Sequence, residues 1–250
     1  MKPAAYELHT AADAPAALAQ VAAGAKPLGG GQSLMPAMNL RLLRPPVLVD
    51  LKRIAALREV REHADHLRLG AAITHAEIED GQVPDPANGL LRHVARGIAY
   101  RAVRNRGTLG GSLAHADPAA DWPSVMVALD ARIIALGPRG ERAIPAADFM
   151  RAPFVTALAA DEIILAVEIP RLAPDTRWGH CKINRKTGEF AKSIGIAISA
   201  PRRLLLGAIE APPALLESVD DIPARLPWLD GAAQARARVA LQRALAMMDA

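Results

Sequence analysis

The sequence predicts an α+β protein of three successive blocks, and three observations carry that reading. The first fifty residues alternate short apolar runs with helical periodicity, as β-α-β units do. The middle of the chain carries further strand-like runs between helical segments. Past residue 174, three apolar runs lie close together ahead of one helical stretch, the pattern of a small antiparallel sheet with a helix. The blocks divide at 1–54, 55–173 and 174–250.

In the first block, Tyr6-Glu7-Leu8 reads as a strand. The Ala-rich stretch Thr10 to Ala23 reads as a helix capped by Thr10 or Asp13 and ended by Gly24, with Leu18, Val21 and Ala22 on one face. Lys26-Pro27-Leu28 is extended, Leu34 to Leu43 contains a helical turn closed by Pro45-Pro46, and Val47-Leu48-Val49-Asp50 is a strand. In the second block, His66 to Ala71 alternates as a strand. Thr74-His75-Ala76-Glu77 is a capping box that opens a short helix. A loop from Gly81 to Gly89 leads into a helix over Leu90 to Ile98. A glycine-dense turn at Gly107 to Ser112 follows, and Pro123 suits the first turn of a helix that runs to Asp130. Strands are expected at Arg132–Leu136, Arg142–Ile144 and Ile163–Ile169. In the third block they are expected at Trp178–Arg185, Ile194–Ala200 and Arg203–Ile209. Four prolines make 210–231 a loop-rich linker, and Gly231 to Met248 is a helix offering Val239, Leu241, Leu245 and Met248 for burial.

Composition removes several function classes. The chain has 250 residues, 51% hydrophobic and 22% charged, enough to bury a core and unlike a disordered chain. Only 3% is aromatic, so a base-stacking platform is not its main device. The net charge of +4 is spread along the chain, which permits an anionic ligand but is no nucleic-acid footprint. One cysteine, Cys181, cannot hold an iron–sulfur cluster or a cysteine zinc cage alone. No apolar run approaches a membrane span and the first residues do not read as a secretion signal, so a cytoplasmic protein is expected.

Two segments stand out. Leu28-Gly29-Gly30-Gly31-Gln32-Ser33 follows a strand, where three glycines cost backbone entropy and return no packing. Such a run suits backbone amides that approach a pyrophosphate, and equally an ordinary tight loop. It is neither a Walker loop nor the Rossmann pattern. Gly107-Thr108-Leu109-Gly110-Gly111-Ser112 has the same ingredients, so the pair together suggests two-sided clamping of one diphosphate. Asp121, in Asp117-Pro118-Ala119-Ala120-Asp121-Trp122-Pro123, can accept from sugar hydroxyls or cap the next helix. His63, Asp65 and His66 read as a hairpin turn, and His115 with Asp117 offers too few ligands for a metal, so no metal site is expected. Cys181 beside Lys182 reads as packing. The arginines Arg92, Arg96, Arg101, Arg104 and Arg106 form a phosphate-binding face or a solvated surface.

Taken together, Lys26 through Pro36, Leu48-Val49-Asp50-Leu51 and Arg104 through Pro123 resemble the FAD-binding medium subunits of the molybdenum hydroxylases, the carbon monoxide dehydrogenase and xanthine dehydrogenase type. The likeness continues through Asp161-Glu162-Ile163-Ile164 and Lys182 through Ala191, and covers roughly residues 3 to 210. The resemblance implies two α/β subdomains of the vanillyl-alcohol oxidase (PCMH) type gripping FAD, with a shortened C-terminal α+β domain. It implies that Pro27, Leu28, Gly29, Gly30, Gly31, Gln32, Ser33 and Leu34, with Thr108, Leu109, Gly110, Gly111 and Ser112, cradle the diphosphate. It further implies that Asp121 meets the ribityl or nucleotide part, and that Ile98, Ile164 and Lys182 lie against the cofactor. The chain departs from the family at Gly29, often Ala, and at Ser112, Asn in some members. With no histidine in the first glycine loop, no covalent histidyl–flavin bond is expected there.

By the same likeness, a large partner subunit carries the molybdenum cofactor and a small one carries two [2Fe-2S] clusters, in a dimer of heterotrimers. FAD would then pass electrons to NAD, oxygen or a quinone-linked carrier. Lys182 is the candidate for tuning the flavin, with a surface salt bridge as its plain alternative. The competing functions are a stand-alone FAD-dependent oxidase or dehydrogenase and a non-catalytic nucleotide-binding assembly factor.

Overall fold

The computed structural model describes residues 2–250. Chain order begins with strand β1 (Glu7–Thr10), helix α1 (Ala14–Ala22), β2 (Lys26–Leu28), α2 (Leu34–Asn39) and β3 (Val47–Asp50). These strands form a parallel sheet in the order β1-β3-β2. The alternation of Leu48 and Val49 builds two layers on it. Val49 joins Ala14, Ala17 and Val21 of α1 in one core, while Leu48 joins Leu28 and Met38 of α2 in another. Asp13 caps α1 by accepting from the Ala16 amide at 2.8 Å. Thr10 belongs to β1 instead, and Ala22 is exposed, because the helix turns Ala14, Ala17 and Val21 inward.

The second sheet is antiparallel. It uses β4 (Val60–Glu62), β5 (His66–Gly70), β6 (Arg132–Gly137), β7 (Gly140–Pro145) and β10 (Ile163–Pro170), in the order β4-β5-β10-β6-β7. A small hairpin, β8 (Met150–Ala152) with β9 (Val155–Thr156), precedes β10. Between β5 and β6 run α3 (His75–Glu79), α4 (Leu90–Arg96), α5 (Arg101–Arg104), α6 (Leu109–His115) and α7 (Asp121–Ala128), and α8 (Ala146–Phe149) follows β7. Every residue of α7 is buried, as for a helix enclosed on all sides.

The third sheet, β11 (Trp178–Ile183), β12 (Ser193–Ser199), β13 (Arg202–Gly207) and β14 (Ala214–Leu216), packs α7 against β12 and β13. After α9 (Ile222–Arg225), the long α10 (Gly231–Asp249) packs on β11 and β12. Glycines make that contact close. A Cβ on Gly179 would lie 1.8 Å from the Ala244 carbonyl oxygen, and one on Gly195 2.4 Å from that of Ala240.

Three expectations change here. Residues 210–231 hold β14 and α9 rather than loop alone. Val239 is 38% exposed on α10, where Ala237, Ala240 and Ala244 fill the close contact instead. Gly107 to Ser112 is not a free turn, since Thr108 caps α6 and the next residues enter its first turn. Its Thr108 hydroxyl accepts from the Gly111 amide at 3.0 Å, so a capping residue outweighs two poor helix formers.

Candidate functional site

Strand β2 delivers Pro27 and Leu28 to the first glycine loop, and Ser33 precedes α2, which opens at Leu34. Gly31 has φ +74°, a conformation that favours glycine. The amides of Gly29, Gly30, Gly31, Gln32 and Ser33 donate to no protein acceptor among the described residues. The Gln32 side chain folds back, donating to the Gly30 carbonyl at 3.2 Å. The result is a run of five backbone donors without partners, chemistry that accepts an anion with several oxygens.

The second segment lies directly against the first. A Cβ on Gly30 would sit 1.9 Å from the Arg106 carbonyl oxygen and 2.7 Å from Gly107 Cα. One on Gly29 would sit 3.0 Å from Thr108 Oγ1 and 3.6 Å from Gly111 Cα. Two backbones pressed together therefore require Gly30, whatever ligand is present. Most of the second segment's own amides are spent on the fold, while that of Thr108 donates to no protein acceptor among the described residues. Leu109 donates to the Ile73 carbonyl and Gly110 to that of Ala71, both at 2.9 Å, and Ser112 donates to the Thr108 carbonyl at 3.0 Å. Gly110 is held small by Ala71, whose Cβ a side chain there would meet at 2.5 Å. Thus the first loop presents five donors, and the second segment supports it and adds one, the Thr108 amide.

Asp121, Lys182 and Ile98 gather at another point. Lys182 Nζ donates to Asp121 Oδ2 at 2.8 Å and to the Gly97 carbonyl, next to Ile98, at 3.1 Å. The two side chains are only 10% and 5% exposed, so this is a buried ion pair and not a surface one. Asp121 does not cap α7. It is the helix's first residue, and Ala120 occupies the cap position. Burial raises its carboxyl above the ordinary range, against the pull of Lys182. Its Oδ1 is buried with no protein partner among the described residues. Ile98 is partly buried against the main core. Ile164 lies on β10 in that core, opposite Ala135. The carbonyl of the next residue, Leu165, accepts from Ala71, the residue that abuts Gly110.

The arginine group divides. Arg104 is tied to Glu79 at 2.7 Å and to the carbonyls of Ile98 and Ala99, and Arg101 to Asp80 and Glu79. Neither is free to bind phosphate. Cys181 packs against the core under α10, and His115 rests tilted against Phe154. Sequence reasoning missed His75. Its capping-box position is legible, but its link to Trp122 spans 47 residues. Trp122 Nε1 donates to His75 Nδ1 at 3.0 Å, and burial lowers the imidazole pKa to about 4.

With this geometry in hand, comparison identifies the family. The family described as "FAD binding domain in molybdopterin dehydrogenase" matches residues 4–172. The chain is 36% identical over 194 residues to the carbon monoxide dehydrogenase medium chain of Hydrogenophaga pseudoflava, covering 76% of this chain and 68% of that one. It is 41% identical over 165 residues to the nicotine 6-hydroxylase medium subunit of Paenarthrobacter nicotinovorans, covering 66% of this chain and 58% of the relative's length. Its structure superimposes on a chain of the Hydrogenophaga pseudoflava carbon monoxide dehydrogenase lacking the Mo-pyranopterin moiety, with TM-score 0.91 and 28% identity, over 99% of this chain and 98% of that one. The chain therefore belongs to the FAD-binding medium subunits of the molybdenum hydroxylases.

Proposed function

We propose that this chain is the flavoprotein subunit of a multi-subunit molybdenum hydroxylase, holding FAD with its diphosphate on the amides of Gly29 to Ser33. The observation that carries the assignment of residues is that run of five unpartnered donors beside a rigid second segment. The residues fit the group: a diphosphate offers several anionic acceptors, and the orphaned Asp121 Oδ1 fits a ribityl or ribose hydroxyl. Bound flavin would supply the exchange between one-electron and two-electron carriers.

The chain's own residues bind, orient and exclude water. Pro27, Leu28 and Leu34 would frame the first loop, with Thr108 and Gly111 against Gly29 supporting a far side that Ser112 would complete. Because Lys182 is paired, its charge is compensated. We assign it to orienting Asp121 rather than to acting as a bare cation on the ring. Ile98 and Ile164 would supply apolar contact. The finer fold reading is the PCMH-type pair of subdomains, 1–54 and 55–173, followed by the α+β part 174–250. Partners would be a large molybdenum-cofactor subunit and a small [2Fe-2S] subunit, in a dimer of heterotrimers. The relatives' names, medium chain and medium subunit, favour this over a stand-alone oxidase. A cytoplasmic setting belongs to the same reading; no helix among the described residues is long and apolar enough to cross a membrane.

The test is direct. The chain purified with its partners should be yellow and release FAD on denaturation, and Asp121→Ala should weaken FAD retention about tenfold. A colourless protein that cannot be loaded with FAD would overturn the reading.

A further inference from the structure

We propose that His75 is a further binding residue for the cofactor, its Nε2–H donating to the diphosphate where Gly107 meets the first glycine loop. This rests on the FAD reading above.

Three observations converge. First, the tautomer is fixed by chemistry. An indole N–H can only donate, so His75 Nδ1, 3.0 Å from Trp122 Nε1, must accept, and the proton of the neutral ring sits on Nε2. Second, that Nε2–H has no protein acceptor among the described residues, yet it is not among the sealed polar atoms of the interior. The residue as a whole is 5% exposed, and Nε2 is not one of its sealed atoms. Third, the edge has a defined neighbour. A Cβ on Gly107 would lie 2.8 Å from both Nε2 and Cδ2 of His75, so only glycine at that position leaves room at this edge.

The same Gly107 is where the two loops touch, since a Cβ on Gly30 would lie 2.7 Å from Gly107 Cα. One glycine, Gly107, thus separates the donor from the first loop, whose amides from Gly29 to Ser33 also lack acceptors among the described residues. A fixed donor left without a partner is costly, and one phosphate group can answer it together with the loop amides. The nearby cation does not compete for this role, because Arg104 is held by Glu79 and two carbonyls.

The experiment uses the full chain with ¹⁵N-labelled histidine, titrated with FAD and, separately, with ADP. The Nε2–H signal should shift downfield and exchange more slowly with water on adding either ligand, a response that a purely structural histidine would not give. His75→Phe and Gly107→Ala should each weaken FAD binding about tenfold, measured by flavin fluorescence. Gly107→Ala crowds the Nε2 edge and pushes on the ring, so the wild-type Nε2–H signal, which needs no variant, carries the test if His75→Phe fails to fold. The inference is overturned if the wild type binds FAD while Nε2–H stays unchanged. It is equally overturned if ADP leaves the signal unmoved, or if Gly107→Ala binds FAD as tightly as the wild type. Failure of the wild type itself to bind FAD is a separate result that removes the flavin reading and this inference with it.

Discussion

The segments Gly29–Ser33 and Gly107–Ser112 share a composition of glycine, a hydroxyl residue and little bulk, but their backbones are used in opposite ways. The first leaves five amides without acceptors among the described residues. The second spends all but the Thr108 amide on Val103, Ile73, Ala71 and its own first turn, and becomes the start of a helix. Glycine density therefore marks where backbones come close, and says nothing by itself about which donors remain free. Only the hydrogen-bond ledger of each segment separates a binding surface from its support.

The largest effect should come from breaking the contact between the two. Gly30→Ala places a methyl onto the Arg106 carbonyl, and backbone on both sides leaves no cheap relief. We expect FAD affinity to fall more than about a hundredfold, read as loss of flavin absorbance after desalting, because the first loop must leave its support. Retention of bound flavin would mean that the loops need not touch.

Acid should act on the support. His75 stays neutral in the folded chain down to about pH 4, whereas an unfolded imidazole takes its proton near 6.5. Between those values the unfolded chain binds the extra proton. The contribution of His75 is thus complete above about pH 6.5 and is lost as pH falls toward 4, about 3 kcal/mol in all. Urea midpoints at pH 7 and 4.5 should show it, with part of the slope removed in His75→Gln. An equal slope in that variant would place the acid sensitivity elsewhere.

The smallest effect sharpens the contrast. Gly110→Ala meets Ala71 at 2.5 Å, away from the first loop's amides. It should cost about 1–3 kcal/mol, a few degrees of melting temperature, while the folded fraction binds FAD within about threefold of wild type. A tenfold or greater loss of affinity at unchanged melting temperature would give the second segment a direct role.

Much of the fold was legible in the sequence because its strands are short apolar runs with clear ends. Val47 to Asp50 and His66 to Gly70 fall where alternation puts them, and the capping box at Thr74 forms with both of its bonds. What escaped has identifiable causes. Helix α6 opens on two glycines that argue against a helix, although Thr108 was a readable cap. Strand β14 is three residues long and follows Pro212-Pro213, so periodicity cannot register it. In the site, residue types pointed to both loops, but the spent amides depend on Ala71 and Ile73, far away in sequence. The resemblance points to Lys182 beside the cofactor, but its pairing with Asp121 is not legible, because nothing local predicts burial beside a residue 61 positions earlier.

The glycine seam between α10 and the third sheet has a reach beyond its own interface. Gly179 rests on the helix backbone three residues before Lys182 on the same strand, so no flexible side chain cushions the two. A small sideways displacement of that helix would be handed on undamped to the ammonium and, through it, to the carboxylate it holds. An element that contributes no side chain to the ion pair thereby acts as its alignment gauge.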